Sequence, residues 1–506
     1  MLFLNSLHTE IIPIHGDRYI KQHLPPQRMP RVTTKESVTV TPSPSTTTVT
    51  TTEELTMKTA APTPSPPPPA DGSFNSLPIY YKTEPLHSTY SCVGENFRED
   101  AWLFRSCSFQ NLCFDVTSHS FVLIQSQEDQ KFEKLVKESN LSTHISTTGT
   151  PTLSLGGINP KWKQNRDRLK WFPRVETEQP ANGYYELPAD SVWVPFHSFA
   201  GYNAGHLFWD DFFPIFKLLQ MFDLESPDNT LLLLTKINFK LWGTCDWNPT
   251  KGVSCIHAFN KFLPAMGIRN GISTANQTSH DFSFVAGEER KSNYICAPRG
   301  AAGLGMLTDH GLKKHGWDEE DWESTHNVGR GHVFYEFRTF MLRNLGIVPP
   351  TKPAGPPYSV IFSRYSSNTA GRVRGFQKQE HLLKKAISKS HQLNITGDRW
   401  SKHSLHVQAE MASKASIFVT VVGGGAMTAT FLPRGATLIL FYEATGGRRR
   451  DRNTGKPAML DWDVLNHASH LRVHWLPIET SETPEGLQIF LELVKHELQI
   501  IKQLHV

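Results

Sequence analysis

The stretch from Ser359 to Trp475 sets the strongest limit on the fold. Short apolar runs at residues 360–362, 392–395, 417–422, 437–442 and 471–475 alternate with helical patterns at 378–387, 407–414, from Ala426, and at 462–468. Alternation of this kind predicts a parallel sheet covered by helices on both faces. The run 417–422 is almost continuously apolar, as a strand buried on both faces should be. A last helix over residues 484–504 sets Leu487, Phe490, Leu491, Val494, Leu498 and Ile501 at i, i+3, i+4, i+7 spacing. That spacing gives one apolar face to pack on the body.

The other end of the chain is different in kind. Residues 32–75 are mostly Thr, Ser and Pro, including Pro67-Pro68-Pro69. They cannot bury enough apolar surface to offset chain entropy, so disorder is expected. Such a tract fits an O-glycosylated stalk and fits a plain linker equally. Folded sequence starts near Leu77, with strand patterns at 114–116, 121–124, 191–194 and 231–234. A strongly apolar helix is expected over 212–222, with Pro214 in its first turn, where proline is tolerated. The division expected is a disordered stalk over 1–76, an α/β domain over 77–352, a Rossmann-like domain over 353–480 and a packing helix over 481–506.

Six cysteines are present, at 92, 107, 113, 245, 255 and 296, with no CxxC pair and no zinc-finger spacing. An even count with wide gaps fits two or three disulfides in an oxidising compartment, and also fits six buried thiols. Sequons begin at Asn140, Asn276 and Asn394. Together these tilt toward the secretory pathway. No apolar run approaches the roughly 18 residues needed to span a bilayer, and the opening Met1-Leu2-Phe3-Leu4 is short for a signal-peptide core. A formal charge of +4 is too weak to point to nucleic acid.

Three places carry chemistry. In Val421-Val422-Gly423-Gly424-Gly425-Ala426-Met427-Thr428 a buried strand runs into three glycines and a helix start. Glycines let a ligand approach the backbone, and first-turn N–H groups attract phosphate. A tight turn without a ligand explains the same residues, and the GxGxxG spacing of dinucleotide sites is missing. Ser363 and Arg364 follow the strand at 360–362, and an arginine at a strand's carboxyl end suits bidentate binding of a diphosphate. Arg372 and Arg374 lie on the next loop. In the first half, Asn203, His206, Asp210 and Asp211 gather before the apolar helix. Asp211 reads as an N-cap, or as a general base for a hydroxyl nucleophile.

Taken together, four segments resemble glycosyltransferase family 61. They are Arg105 to Phe114, Tyr202 to Asp211, Cys296 with Gly303-Leu304-Gly305, and the half from Ser363 to Pro433-Arg434-Gly435-Ala436. The resemblance spans roughly residues 90 to 480. It implies a GT-B-like arrangement of two Rossmann-like domains facing a cleft, with a nucleotide sugar held mainly by the second. It also implies an inverting, metal-independent transfer to a glycan or protein hydroxyl in the Golgi or endoplasmic reticulum lumen, with no cofactor beyond the co-substrate, expected to be UDP-linked. Carried over, Ser363, Arg364, Gly423, Gly424, Gly425, Ala426, Met427 and Thr428 would meet the donor. Asp211 or His206 would serve as base, and Asn203 and Asp210 would face the acceptor. One departure stands out: the family's turn carries a histidine where this chain has Val422. A catalytically silent homologue that binds sugars or escorts another transferase therefore stays open as the alternative.

Overall fold

The computed structural model describes residues 77–94, 102, 105–126, 152–155, 170–197, 204–235, 256–257, 259–268, 271, 282, 290–303, 329–364, 376–442 and 464–505. All belong to one compact unit, Pro64–Val506. The expected stalk, Cys245, Cys255, Arg372, Arg374 and the sequons at Asn140 and Asn276 lie outside the described residues.

The first half is built on a mixed sheet of nine strands. Its members are β1 (Tyr80–Lys82), β2 (Thr89–Val93), β3 (Ser106–Asp115) and β4 (Ser120–Ile124). After a separate pair, β5 (Leu153–Ser154) and β6 (Lys170–Trp171), come β7 (Arg174–Glu176), β8 (Tyr184–Glu186), β9 (Ser191–Phe196), β10 (Thr230–Thr235) and β11 (Tyr294–Gly303). Strand β3 pairs antiparallel with β2, β4 and β11, while β9 is parallel to both β10 and β11. The antiparallel character begins locally. Asp115 accepts from the Thr117 amide at 2.9 Å and from the Ser118 hydroxyl at 2.6 Å, closing a short turn that only antiparallel strands can use. This half is thus less Rossmann-like than the resemblance implies.

Two disulfides staple the sheet, Cys92–Cys107 between β2 and β3 and Cys113–Cys296 between β3 and β11. Each joins residues directly opposed in register. Of the two earlier alternatives for the cysteines, cross-linking holds for these four. Phe114 and Phe121 pack on the buried Trp193 at ring separations of 5.7 and 5.4 Å.

After β9 the chain turns through a helical turn, Ala204–His206, and a π-helical stretch, Leu207–Phe212, into α1 (Phe213–Met221). Helix α2 (Gly331–Asn344) lies against α1, with Phe213 stacked on Phe334 at 4.5 Å and Phe216 tilted against Phe337 at 5.4 Å.

The second half carries the expected parallel sheet: β12 (Tyr358–Arg364), β13 (Leu393–Arg399), β14 (Ile417–Val421), β15 (Thr437–Tyr442) and β16 (Arg472–Pro477). All pairings are parallel, in the order β13-β12-β14-β15-β16. Helices α3 (Gln377–Ala386) and α5 (Pro484–Gln503) lie together, over a ring cluster of Phe362, Phe376, Phe441 and Phe490. Helix α4 (Leu405–Ser413) connects strands running the other way along the sheet, so a right-handed crossover sets it on the opposite face. Thr483 caps α5, accepting from the Gly486 amide at 3.1 Å, with Pro484 at the first helical position. Strand β13 runs four residues beyond the pattern read from sequence, which brings Gly397, Asp398 and Arg399 to its carboxyl end.

Candidate functional site

The strand order doubles back between β12 and β14: β13 follows β12 on one side, and β14 returns to the other. In open α/β sheets a crevice forms outside the carboxyl ends of strands at such a reversal. In this sheet that position lies between Arg364 at the end of β12 and the three glycines after β14. Register runs Val360↔Ile417 to Phe362↔Val419, so Arg364 is level with Val421, just before the glycines.

Gly423 has φ 114° and ψ −169°, a backbone conformation that a side chain would strain. Its carbonyl accepts from the Ala426 amide at 2.7 Å, opening a 3₁₀ helix, Gly424–Phe431, rather than the α-helical start expected at Ala426. The Gly425 amide precedes that bond and donates to no described residue, and Gly425 is exposed. Ala426, Met427 and Thr428 are buried, and Thr428 Oγ1 approaches Gln408 Oε1 at 3.5 Å. Their side chains therefore belong to the core, and only their backbone is on the turn. Val422 is buried too, its amide bonded to the Phe441 carbonyl at 3.1 Å.

Ser363 is buried, and Arg364 is partly exposed. Arg364 is paired with a carboxylate that the sequence reading did not connect to it. Its Nε donates to Glu380 Oε1 at 2.9 Å, and Nη2 reaches both carboxylate oxygens at 2.7 Å. Glu380, from α3, is only 4% exposed and lies across Gly397, where a Cβ would collide with its carboxylate. Lys384 adds a longer contact of 3.8 Å. A buried carboxylate needs such pairing. The pairing orients the guanidinium and leaves Nη1 without a partner among the described residues.

On the far side of β12, Asp398 stands opposite Ser363. Its carboxylate accepts from the Arg399 amide at 2.6 Å and meets His403 Nε2 at 2.7 Å. The His403 contact, helped by that amide, holds the Asp398 carboxyl below its ordinary range. Glu380, Asp398 and His403 were missed in the sequence. For the first, an acidic residue in a helix first turn after a strand-end arginine was the available signal.

The first-half segment meets the glycine turn directly. The turn Ala204–His206 packs on the 3₁₀ helix, and Phe208 meets Phe431 edge-on at 6.0 Å. Asp211 is 2% exposed, inside the π-helical stretch. It is not an N-cap: helical winding starts upstream at Ala204, and α1 follows Phe212 with no side-chain cap. Wide π turns are rare and recur at functional sites. Of His206 and Asp210 only the backbone is described, and Asn203 lies outside the described residues. From α2, the fully buried Arg338 donates Nε–H to the Phe431 carbonyl and Nη2–H to that of Pro350, each at 3.0 Å. It thereby pins the far end of the 3₁₀ helix, and burial lowers its guanidinium pKa to about 10.

Among the described residues no cluster of three His, Cys, Asp or Glu side chains is placed to hold a metal ion, and no helix is long and apolar enough to cross a membrane. The glycine turn and the Glu380-paired Arg364 stand on adjacent strand ends at the sheet's reversal.

No family model matches the chain. It is similar to protein O-linked-mannose beta-1,4-N-acetylglucosaminyltransferase 2 of Canis lupus familiaris, 21% identical over 356 residues that cover 69% of this chain and 51% of that protein. The Bos taurus protein of the same name is 20% identical over 360 residues, with the same coverage. The Homo sapiens one is 25% identical over 148 residues, covering 29% of this chain and 24% of its own. The chain spans about half the length of the curated relatives it matches most extensively. Among solved structures, rubredoxin oxygen:oxidoreductase of Desulfovibrio gigas matches with a TM-score of 0.21 and 10% identity over 51% of this chain and 55% of that one, too low for any statement about fold. The likeness is to glycosyltransferases, at the level of distant homology, and agrees there with the resemblance carried by the four sequence segments.

Proposed function

We propose that the chain is an inverting glycosyltransferase of the secretory pathway that takes a sugar from a UDP-linked donor to a glycan or protein hydroxyl. In this reading the two halves form a GT-B-like pair, with the nucleotide sugar in the second. The donor diphosphate lies on the Gly424 and Gly425 amides and on Nη1 of Arg364. The acceptor oxygen attacks the anomeric carbon, the bond from that carbon to the diphosphate breaks with its electron pair, and a base takes the hydroxyl proton. Asp211 and His206 are the candidates for that base. Fixed amides and a cation stabilise charge growing on the leaving diphosphate. The supporting observation is the pairing of glycine turn and Arg364 on adjacent strand ends at the sheet's reversal. The similarity to O-mannose-linked N-acetylglucosaminyltransferases supports the reaction class.

A second reading, a donor-binding but silent homologue, is favoured by one observation. Val422 fills with a buried aliphatic side chain the position where the resembled family has an imidazole. Purified protein incubated with UDP-xylose, UDP-N-acetylglucosamine and UDP-arabinose separates the readings. The enzyme reading expects slow hydrolysis of one donor and a UDP-induced rise in melting temperature. A rise without turnover assigns the silent reading, and neither result removes both. For Asp211→Asn, turnover should fall more than UDP affinity; a change confined to melting temperature would make Asp211 a packing residue.

A further inference from the structure

We propose that Asn394 carries an N-linked oligosaccharide, attached on the open edge of the parallel sheet. The sequence Asn394-Ile395-Thr396 is a sequon with no proline at its centre. Triplets of this kind arise by chance, so the structural setting decides. Among the described residues β13 pairs with β12 alone, which leaves it as an edge strand. Asn394 is exposed on that strand.

The two faces of β13 differ. Side chains alternate along a strand, so Leu393, Ile395 and Gly397 share one face, and Asn394, Thr396 and Asp398 the other. The first face is the one α3 covers, since Glu380 lies over Gly397. The second is left to the crossover that leads to β14, and α4 on that crossover packs against the glycine-turn segment, away from the edge. Asn394, exposed, and Thr396, partly exposed, thus share the face away from α3, with no side-chain hydrogen bond among the described residues holding either.

Four residues of strand at about 3.3 Å each put about 13 Å between Asn394 and Asp398 at the carboxyl end. A glycan at Asn394 therefore stands toward the amino end of the sheet and leaves the crevice clear. It also masks part of an edge whose unpaired backbone groups could otherwise recruit another strand. The disulfides Cys92–Cys107 and Cys113–Cys296 belong to an oxidising compartment, where this modification is made.

The co-reactant is an oligosaccharide linked to a polyprenyl diphosphate. The Asn394 amide nitrogen bonds to the anomeric carbon, that carbon's bond to the diphosphate oxygen breaks with its electron pair, and the displaced amide proton leaves with the diphosphate. The inference rests on the secretory part of the proposed function and is independent of catalysis.

The test is expression of the full chain through the secretory pathway of cultured animal cells. The protein is then treated with peptide N-glycosidase in heavy-oxygen water, and the peptide spanning 394–396 is read by mass spectrometry. Heavy-oxygen aspartate at 394 is expected, together with loss of one glycan's worth of electrophoretic mobility shift in Asn394→Gln and in Thr396→Ala. Thr396→Ser keeps a sequon and should keep the mark. An unlabelled peptide from wild-type protein, or a mark that survives Thr396→Ala, overturns the proposal. UDP-induced stabilisation of Asn394→Gln, measured alongside, should match wild type, so failure of the glycan and failure of the donor site are read separately.

Discussion

At the amino end of the parallel sheet Glu497 is 2% exposed and fully engaged: Thr437 Oγ1 at 2.6 Å, Arg472 Nε at 2.5 Å and His474 Nε2 at 3.0 Å. At the carboxyl end Glu380, 4% exposed, is bound by Arg364 and more distantly by Lys384. Both are buried glutamates on helices of the same face, each meeting an arginine from a strand end. The difference lies in the arginine. Arg472 is drawn into a ring that closes on itself through Thr437 at 3.1 Å. Arg364 is held on one side, and its Nη1 has no partner among the described residues. A closed network fixes the fold, whereas one left open on a cation at a crevice is fit to bind an anion.

The largest effect should come from breaking the closed network. Glu497→Ala strands Arg472 and Thr437 without their acceptor, and one-sided removal from a buried ion pair costs about 3–5 kcal/mol. Chemical denaturation should show that loss while UDP-induced stabilisation persists; loss of UDP binding in folded Glu497→Ala would erase the distinction between the two ends.

Arg364→Ala comes next. From sequence alone this change removes donor binding and spares the fold, but it now also uncovers the Glu380 carboxylate. A cost of about 2 kcal/mol is expected, because the arginine is partly exposed, with UDP affinity lowered at least about tenfold. The pair Arg364→Met with Glu380→Gln should recover much of the stability and none of the affinity. Recovery of UDP binding in the double variant would take Arg364 out of the site.

Five parallel strands were legible because short apolar runs such as 417–422 alternate with helical patterns, and α5 because its apolar face keeps helical period. The glycine turn and Arg364 were legible as strand-end residues. Glu380 was not, because its role depends on the space above Gly397, which exists only once β13 extends to Arg399. Of the two readings of Asp211, the capping one fails because helical winding already begins at Ala204–His206, a Gly-containing segment of weak propensity that packs on the glycine turn.

Acid should find the amino end first. Burial pushes the Glu497 carboxyl up, but hydrogen bonds from His474, Thr437 and Arg472 outweigh it and bring the pKa to about 2, against an ordinary 4.5. Its contribution is present above about pH 4.5 and is lost as pH falls toward 2. His470, just before β16, is lowered from 6.5 to about 3, by burial first and then by Arg338 and Arg434. Below pH 6.5 the unfolded chain takes a proton that folded His470 refuses, so stability falls as pH drops from 6.5 toward 3. Each group gives a slope of at most about 1.4 kcal/mol per pH unit in its window. His470→Gln should flatten the upper window and Glu497→Gln the lower. Unchanged pH profiles of unfolding free energy in both variants would show that these buried groups do not set acid stability.

The smallest change in stability sharpens the comparison most. Gly397→Ala leaves every charged group in place and asks only that the Glu380 carboxylate move off the strand. That carboxylate ends a flexible side chain, so the cost should stay near 1 kcal/mol. Moving it should turn the Arg364 fork with it, away from the proposed donor site. UDP affinity should then fall severalfold with Tm nearly unchanged, a split that no variant of the Glu497 network can give. Unaltered affinity in Gly397→Ala would mean that Glu380 supports the sheet as Glu497 does and that the two ends are equivalent.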